Sequence, residues 1–239
     1  MNNYTNERLL AQLKQRFTSE VLWHFAGRRK TDEEQYYSLL SILKNGLKVG
    51  EKNEEFKFID PKNKKFVSLW GYPVSCLADI PLKDLLIHAE RYGKYAIGFH
   101  KESAIDHEFM PVLYVNQFSG FFRRFIELRN EIENYLKTAD VEISNKFEEL
   151  LLLLGSIAKS GNLKANPIND INWDDMQVNN FYYEREWRSL RDWDFRKNDV
   201  AIIILPDERI ENFTKLRNQH DLRIDESIPV LSFSMIHSL

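Results

Sequence analysis

The 239-residue chain is 43% hydrophobic and 13% aromatic, enough apolar material for a sizeable core in one large domain or two small ones. Its 33 basic and 36 acidic residues nearly cancel, to a formal charge of -3, which excludes nucleic-acid binding driven by overall positive charge and leaves only a local patch open. The single cysteine, Cys76, excludes an intrachain disulfide, and the longest apolar run, Leu150 to Leu154, is far short of the ~20 residues that span a bilayer, so a soluble cytoplasmic protein is expected.

In chain order, the first seventeen residues read as a short polar helix with Leu9, Leu10, Leu13 and Phe17 on one side. Val21 to Phe25 is a β-prone run, followed by the glycine turn Ala26-Gly27-Arg28-Arg29-Lys30. Thr31 and Glu34 stand in capping-box spacing ahead of a helix carrying Tyr36, Leu39, Leu40, Leu43 and Leu47, and Asn45-Gly46 is its stop. Residues 51–66 are charged and read as irregular, with a turn at Asp60-Pro61. A strand is expected at Pro73 to Leu77. A helix should start near Asp79 and Pro81, bury Leu82, Leu85, Leu86 and Ala89, and end at Gly93.

Tyr95–Phe99 and Val112–Val115 are further strand candidates. The pattern is helical from Phe118 to about Ser160, broken near Thr138 to Asp140. One stripe runs Phe118, Phe121, Phe122, Phe125, Leu128, Ile132, Tyr135 and Leu136; a second runs Ile143, Phe147, Leu150, Leu151, Leu154 and Ile157. Both read as core. After a polar loop with Pro167 come strands at about 181–190 and 200–205, a helix at about 207–219 and a strand from Ile228 to Ser234. The order lacks the regular β-α-β alternation of a doubly wound fold. It predicts one α+β domain over residues 1–239, with a mixed or mainly antiparallel sheet and a helical hairpin inserted at about 117–160.

The most informative stretch is Tyr182-Tyr183-Glu184-Arg185-Glu186-Trp187-Arg188. On a strand, Glu184, Glu186 and Arg188 share one face, because side chains alternate. Such a face is either a solvated exterior with an ordinary Glu186–Arg188 surface pair, or a carboxylate pair lining a cleft where a reacting cation must be stabilised. His24 sits at a strand end before a glycine turn, where a structural hydrogen bond is the commoner role. His88 and Tyr92 are four apart on one helix and read as edge packing. The sequence holds no Cys/His cluster or H-E-x-x-H, no G-x-S-x-G elbow and no phosphate-binding glycine loop, so no metal site is expected. Arg28-Arg29-Lys30 and Lys62, Lys64 and Lys65 read as solvated basic loops.

Trp23-His24-Phe25-Ala26-Gly27-Arg28, the helix ending Leu43-Lys44-Asn45-Gly46-Leu47, Cys76 to Leu82, His88 to Phe99, and Tyr183 to Arg188 together resemble the AbiGi-type abortive phage resistance family. That resemblance implies an antitoxin component of a phage-defence system. More distantly, a strand-borne His, a helix ending in Gly-Leu and a late Glu-x-Glu are similar to the ADP-ribosyltransferase layout. This second resemblance implies NAD as substrate, with His24 contacting its ribose, Phe25 and Gly27 beside it, and Arg28 meeting the pyrophosphate. Ser75 or Tyr92 would frame the nicotinamide, Glu186 would be the catalytic carboxylate, and Glu184 would orient the acceptor, a protein or nucleic acid. The alternative is a non-catalytic antitoxin or sensor module that binds a partner protein, nucleic acid or nucleotide.

Overall fold

The computed structural model describes residues 19–27, 30–59, 66–116, 118–138, 140–161, 181–217 and 222–237. The helix expected before residue 18, Arg28, the Asp60-Pro61 turn and the Pro167 loop lie outside them. In chain order the elements are β1 (Val21–Phe25), α1 (Asp32–Asn45), β2 (Glu55–Ile59), β3 (Phe66–Trp70), β4 (Ser75–Ala78), α2 (Leu85–Tyr92), β5 (Ala96–His100), α3 (Lys101–Asp106), β6 (Met110–Pro111) and β7 (Leu113–Asn116). They continue with α4 (Gly120–Leu136), α5 (Val141–Ile157), β8 (Ala158–Gly161), β9 (Glu186–Ser189), β10 (Val200–Leu205), α6 (Asp207–Arg217), β11 (Val230–Ser232) and α7 (Phe233–His237). The fold is α+β with mixed, mainly antiparallel pairing, parallel among the described residues only at β10–β11 and β7–β8. It divides into two compact units interleaved in sequence: unit 1 takes residues from 1–48, 77–109 and 192–239, unit 2 from 49–76 and 110–191.

Unit 1 has the strand order β11-β10-β5-β1, with the Ala78 end of β4 antiparallel to Trp23 of β1. Trp23, Ile80, Leu85, Ala96, Ile204 and Ile236 form its core, and the Trp23 indole N–H donates to the Ile80 carbonyl at 2.9 Å. Helix α1 starts as expected: the Thr31 side chain accepts from the Glu34 amide, and the Glu34 carboxylate accepts from the Thr31 amide at 2.7 Å. It stops at Gly46, whose φ of 85° suits glycine and where a Cβ would sit 2.7 Å from the Trp193 carbonyl oxygen. The helix expected from Pro81 begins instead as a 3-10 turn over Leu82–Asp84, and Leu85 and Ala89 are buried while Leu86 is exposed.

Unit 2 corrects two expectations. The stretch read as irregular contains the β2–β3 hairpin, with Phe56 and Phe58 buried and the alternating Glu55 and Lys57 paired at 2.8 Å on the other face. Period-two alternation was present, but the flanking charges masked it. Secondly, the aromatic stripe of α4 is two rows, not one. Phe122 and Ile126 pack on Phe56, Phe58 and Leu69, with Phe122 edge-on to Phe58 at 5.2 Å between centroids. Phe121, Leu128, Ile132 and Tyr135 face solvent, as do Ile143 and Leu150 on α5.

Helix α5 also ends earlier than expected. Its Gly155 meets Gly71 backbone to backbone, a Cβ on Gly155 lying 2.8 Å from the Trp70 carbonyl oxygen. The chain then turns extended, so that β8 runs parallel to β7 from Leu113↔Ala158 to Asn116↔Gly161. This early exit puts Lys159 on a strand, where it matters for the site.

Candidate functional site: a buried ion-pair network

Strand β9 is shorter than expected. Phe181–Glu184 is a 3-10 turn, Arg185 follows with φ of 44°, and β9 starts only at Glu186, antiparallel to β6 through Met110↔Arg188 and Pro111↔Trp187. Glu184 is therefore not a strand neighbour of Glu186, and strand alternation does not bring the two together. Lys159 does: its Nζ pairs with the Glu184 carboxylate and lies 3.1 Å from Glu186 Oε2. Glu184 is 7% exposed.

Arg188 shares the Glu186 face, as alternation requires, and is 1% exposed. It forks onto Glu186, with Nε 3.0 Å from Oε1 and Nη2 3.1 Å from Oε2. Its Nη2 also lies 3.1 Å from Glu54 Oε1, and its Nη1 donates to the Ser156 carbonyl at 2.6 Å. The Glu186 backbone is fixed as well: its amide donates to the Tyr114 hydroxyl at 2.7 Å and its carbonyl accepts from Val112 at 2.8 Å. The solvated-exterior reading of this face is thereby corrected, because Glu184 and Arg188 are buried, Glu186 is largely so, and all three are held in ion pairs.

Burial pushes the Glu186 carboxyl up, but the Lys159 and Arg188 charges, with hydrogen bonds from Arg188 and Cys76, outweigh it and hold the group far below the usual carboxylate range. Burial drives the Cys76 thiol up, and the Glu186 charge beside it adds to the rise, so the thiol stays protonated. Burial likewise raises the Tyr114 phenol. A native carboxyl pKa below the unfolded one contributes stability that is complete above the unfolded value and is lost as pH falls through the native one. Unfolding free energy should therefore decline from about pH 5 downward, with up to ~1.4 kcal/mol per pH unit from this proton, and Glu186→Gln should flatten the slope. Urea titrations across that acid range measure it.

The other predicted site residues divide between the units. Ser75 in unit 2 is buried, its hydroxyl directed at the Ser189 and Arg191 carbonyls at 3.4 and 3.3 Å, which ties β4 to the end of β9. His24, Phe25, Gly27 and Tyr92 belong to unit 1. His24 lies opposite Ile97 in the β1–β5 ladder. Phe25 and Tyr92 do come together, 6.1 Å between centroids, with the His88 ring 6.2 Å and 6.0 Å from them. Gly27 is covered by Gln35, whose amide donates to the Lys30 carbonyl and accepts from the Lys94 amide, both at 2.9 Å. The sequence reading missed Lys159, Glu54 and Tyr114; Lys159 was hidden because its strand was read as the tail of a helix. Among the described residues, no group of three or more His, Cys, Asp or Glu could hold a metal ion, and no helix is long and apolar enough to cross a membrane.

Fold and site define an α+β protein of mainly antiparallel strands whose unit 2 holds a largely buried network of two cations and three carboxylates. The family model described as "Putative abortive phage resistance protein AbiGi, antitoxin" matches residues 46–234, and the chain belongs to that family. It is also similar to the abortive phage resistance protein AbiGi of Lactococcus lactis subsp. cremoris, 29% identical over 152 residues that cover 55% of this chain and 59% of the relative. The match thus spans about three fifths of the relative's length. No solved structure matches. Residues 46–234 include the Glu184–Arg188 stretch and its partners, whereas the Trp23–Arg28 opening precedes them.

Proposed function

We propose that this chain is the antitoxin component of a phage-resistance system and acts by binding a partner protein, not by transferring ADP-ribose. The defence role rests on the family and on the name of the lactococcal relative. The binding reading rests on one observation: both Glu186 oxygens are committed inside the protein, to Arg188 and Lys159. A transferase would need that carboxylate to face a ribosyl cation developing in the transition state. Two resident cations, shared with Glu184 and Glu54, already pair with it, which weakens the attraction it could offer such a centre.

The test incubates the purified chain with NAD, with and without protein and nucleic-acid acceptors, and follows nicotinamide. No release above the protein-free blank is expected. Release that disappears in Glu186→Gln, with the variant's circular dichroism unchanged, overturns the binding reading and installs Glu186 as catalytic. In the complementary arm, growth arrest by the toxin of the same system should be relieved by the wild type and equally by Glu184→Gln.

A further inference from the structure

Helix α4 uses Phe122 and Ile126 to dock within unit 2 and leaves a second apolar row mostly exposed. Phe121, Phe125, Leu128, Ile132 and Tyr135 are spaced by alternating fours and threes, the seam of a heptad coiled coil; Phe125 is half-buried against the unit 2 core and the other four are exposed. Phe121 is 73% exposed, Leu128 42% and Tyr135 68%. A contiguous apolar row of this kind on a chain with this many charges marks an interaction face rather than incidental exposure.

The charges beside the seam select its occupant. With Phe125 and Ile132 at the a positions and Leu128 at d, Arg124 and Glu131 occupy the two g positions, one on each side of Leu128. An antiparallel pair sets g against g, so a two-fold axis near Leu128 brings Arg124 of one copy to Glu131 of the other, twice over, and lays Phe121 on Tyr135. A parallel pair would instead set g against e, bringing Arg124 onto Arg129, which Glu133 already pairs within the helix, so that orientation gains no new ion pair. The charges therefore favour the antiparallel orientation. We propose that the row joins two copies of this chain through an isologous, antiparallel α4–α4 contact. This holds whether the protein is a binding module or an enzyme.

A helix of 17 residues is about 25 Å long, so the contact is small and its Kd should be on the order of micromolar. Sedimentation velocity on the full chain, from low micromolar to a few hundred micromolar, should show the mass rising towards twice 28.4 kDa. Leu128→Asp should remain monomeric with an unchanged thermal melt, since Leu128 is exposed in the single chain. Arg124→Glu should weaken the pairing about ten-fold by placing like charges at both g–g contacts, and the swap Arg124→Glu with Glu131→Arg should restore it. The swap does not restore the internal Arg124–Glu127 pair, so recovery reports on the contact between copies. A wild type that stays monomeric throughout, a Leu128→Asp chain that still pairs, or a swap as weak as the single reversal overturns the proposal. So does a chain that stays monomeric alone and uses this row only for a different protein.

Discussion

Glu186→Gln should lower the unfolding free energy by ~3–5 kcal/mol, the cost of breaking a buried ion pair by removing one partner. The amide keeps the shape of the side chain but removes the charge that Arg188 and Lys159 share, and it turns an N–H₂ towards one of them. Glu54 and Glu184 remain as counter-charges, which places the loss towards the lower end of that range. A matched control is Glu142→Gln, whose pair with Lys146 across one turn of α5 is solvent-exposed and should matter by no more than ~0.5 kcal/mol. Urea melts of both variants at neutral pH make the comparison. Catalytic residues commonly sit in sites whose strain is relieved on removal, so an active-site carboxylate predicts unchanged or increased stability. A stability-neutral Glu186→Gln would therefore count against the structural role and for the catalytic one.

Phe122→Ala should cost ~3–5 kcal/mol, while Phe121→Ala, the adjacent residue, should cost less than ~0.5 kcal/mol in dilute protein. Phe122 fills the space between Phe56 and Phe58, at 5.9 and 5.2 Å between centroids, and its truncation leaves a cavity that the β2–β3 hairpin cannot close without moving its own aromatic pair. Phe121 lies about 100° round the helix from Phe122, exposed to water. Chemical denaturation at low concentration separates intrinsic stability from any association through the exposed row. Equal effects at both positions would mean that the helix docks through a different face.

Where local rules were sufficient, the sequence was readable. The capping box at Thr31, the stop at Gly46 and the strand at Val21–Phe25 lie where spacing and punctuation placed them, and the helix expected at about 207–219 runs over Asp207–Arg217 among the described residues. Glu186 and Arg188 share a face because two-residue periodicity is a property of the backbone alone. The failures have tertiary causes. Lys159 follows a leucine-rich helix whose pattern runs on past its end, and only pairing with β7 reveals the switch to extended chain. Glu184 reaches the network through a 3-10 turn and a positive-φ arginine, which no alternation rule anticipates. In the stripe on α4, helical period is common to both apolar rows, so periodicity could not say which one the hairpin covers.

The interleaving of the two units bears on how the protein is made. In unit 1 the apolar strand β5 pairs with β1 on one side and β10 on the other, yet β10 follows β5 by about 100 residues, most of which build unit 2. At a ribosomal pace of ~5–20 residues per second, the β10-facing edge of β5 waits on the order of 5–20 s for its partner. During that interval Ala96, Ile97 and Phe99 lie beside an open row of amides and carbonyls, a template for pairing with a neighbouring nascent chain. Every contiguous fragment that holds β1, β5 and β10 also carries the unit 2 residues between β5 and β10, so truncation at either end cannot shorten the wait. Yield in a host should therefore respond to translation speed and holding chaperones more than to the stability of the finished protein.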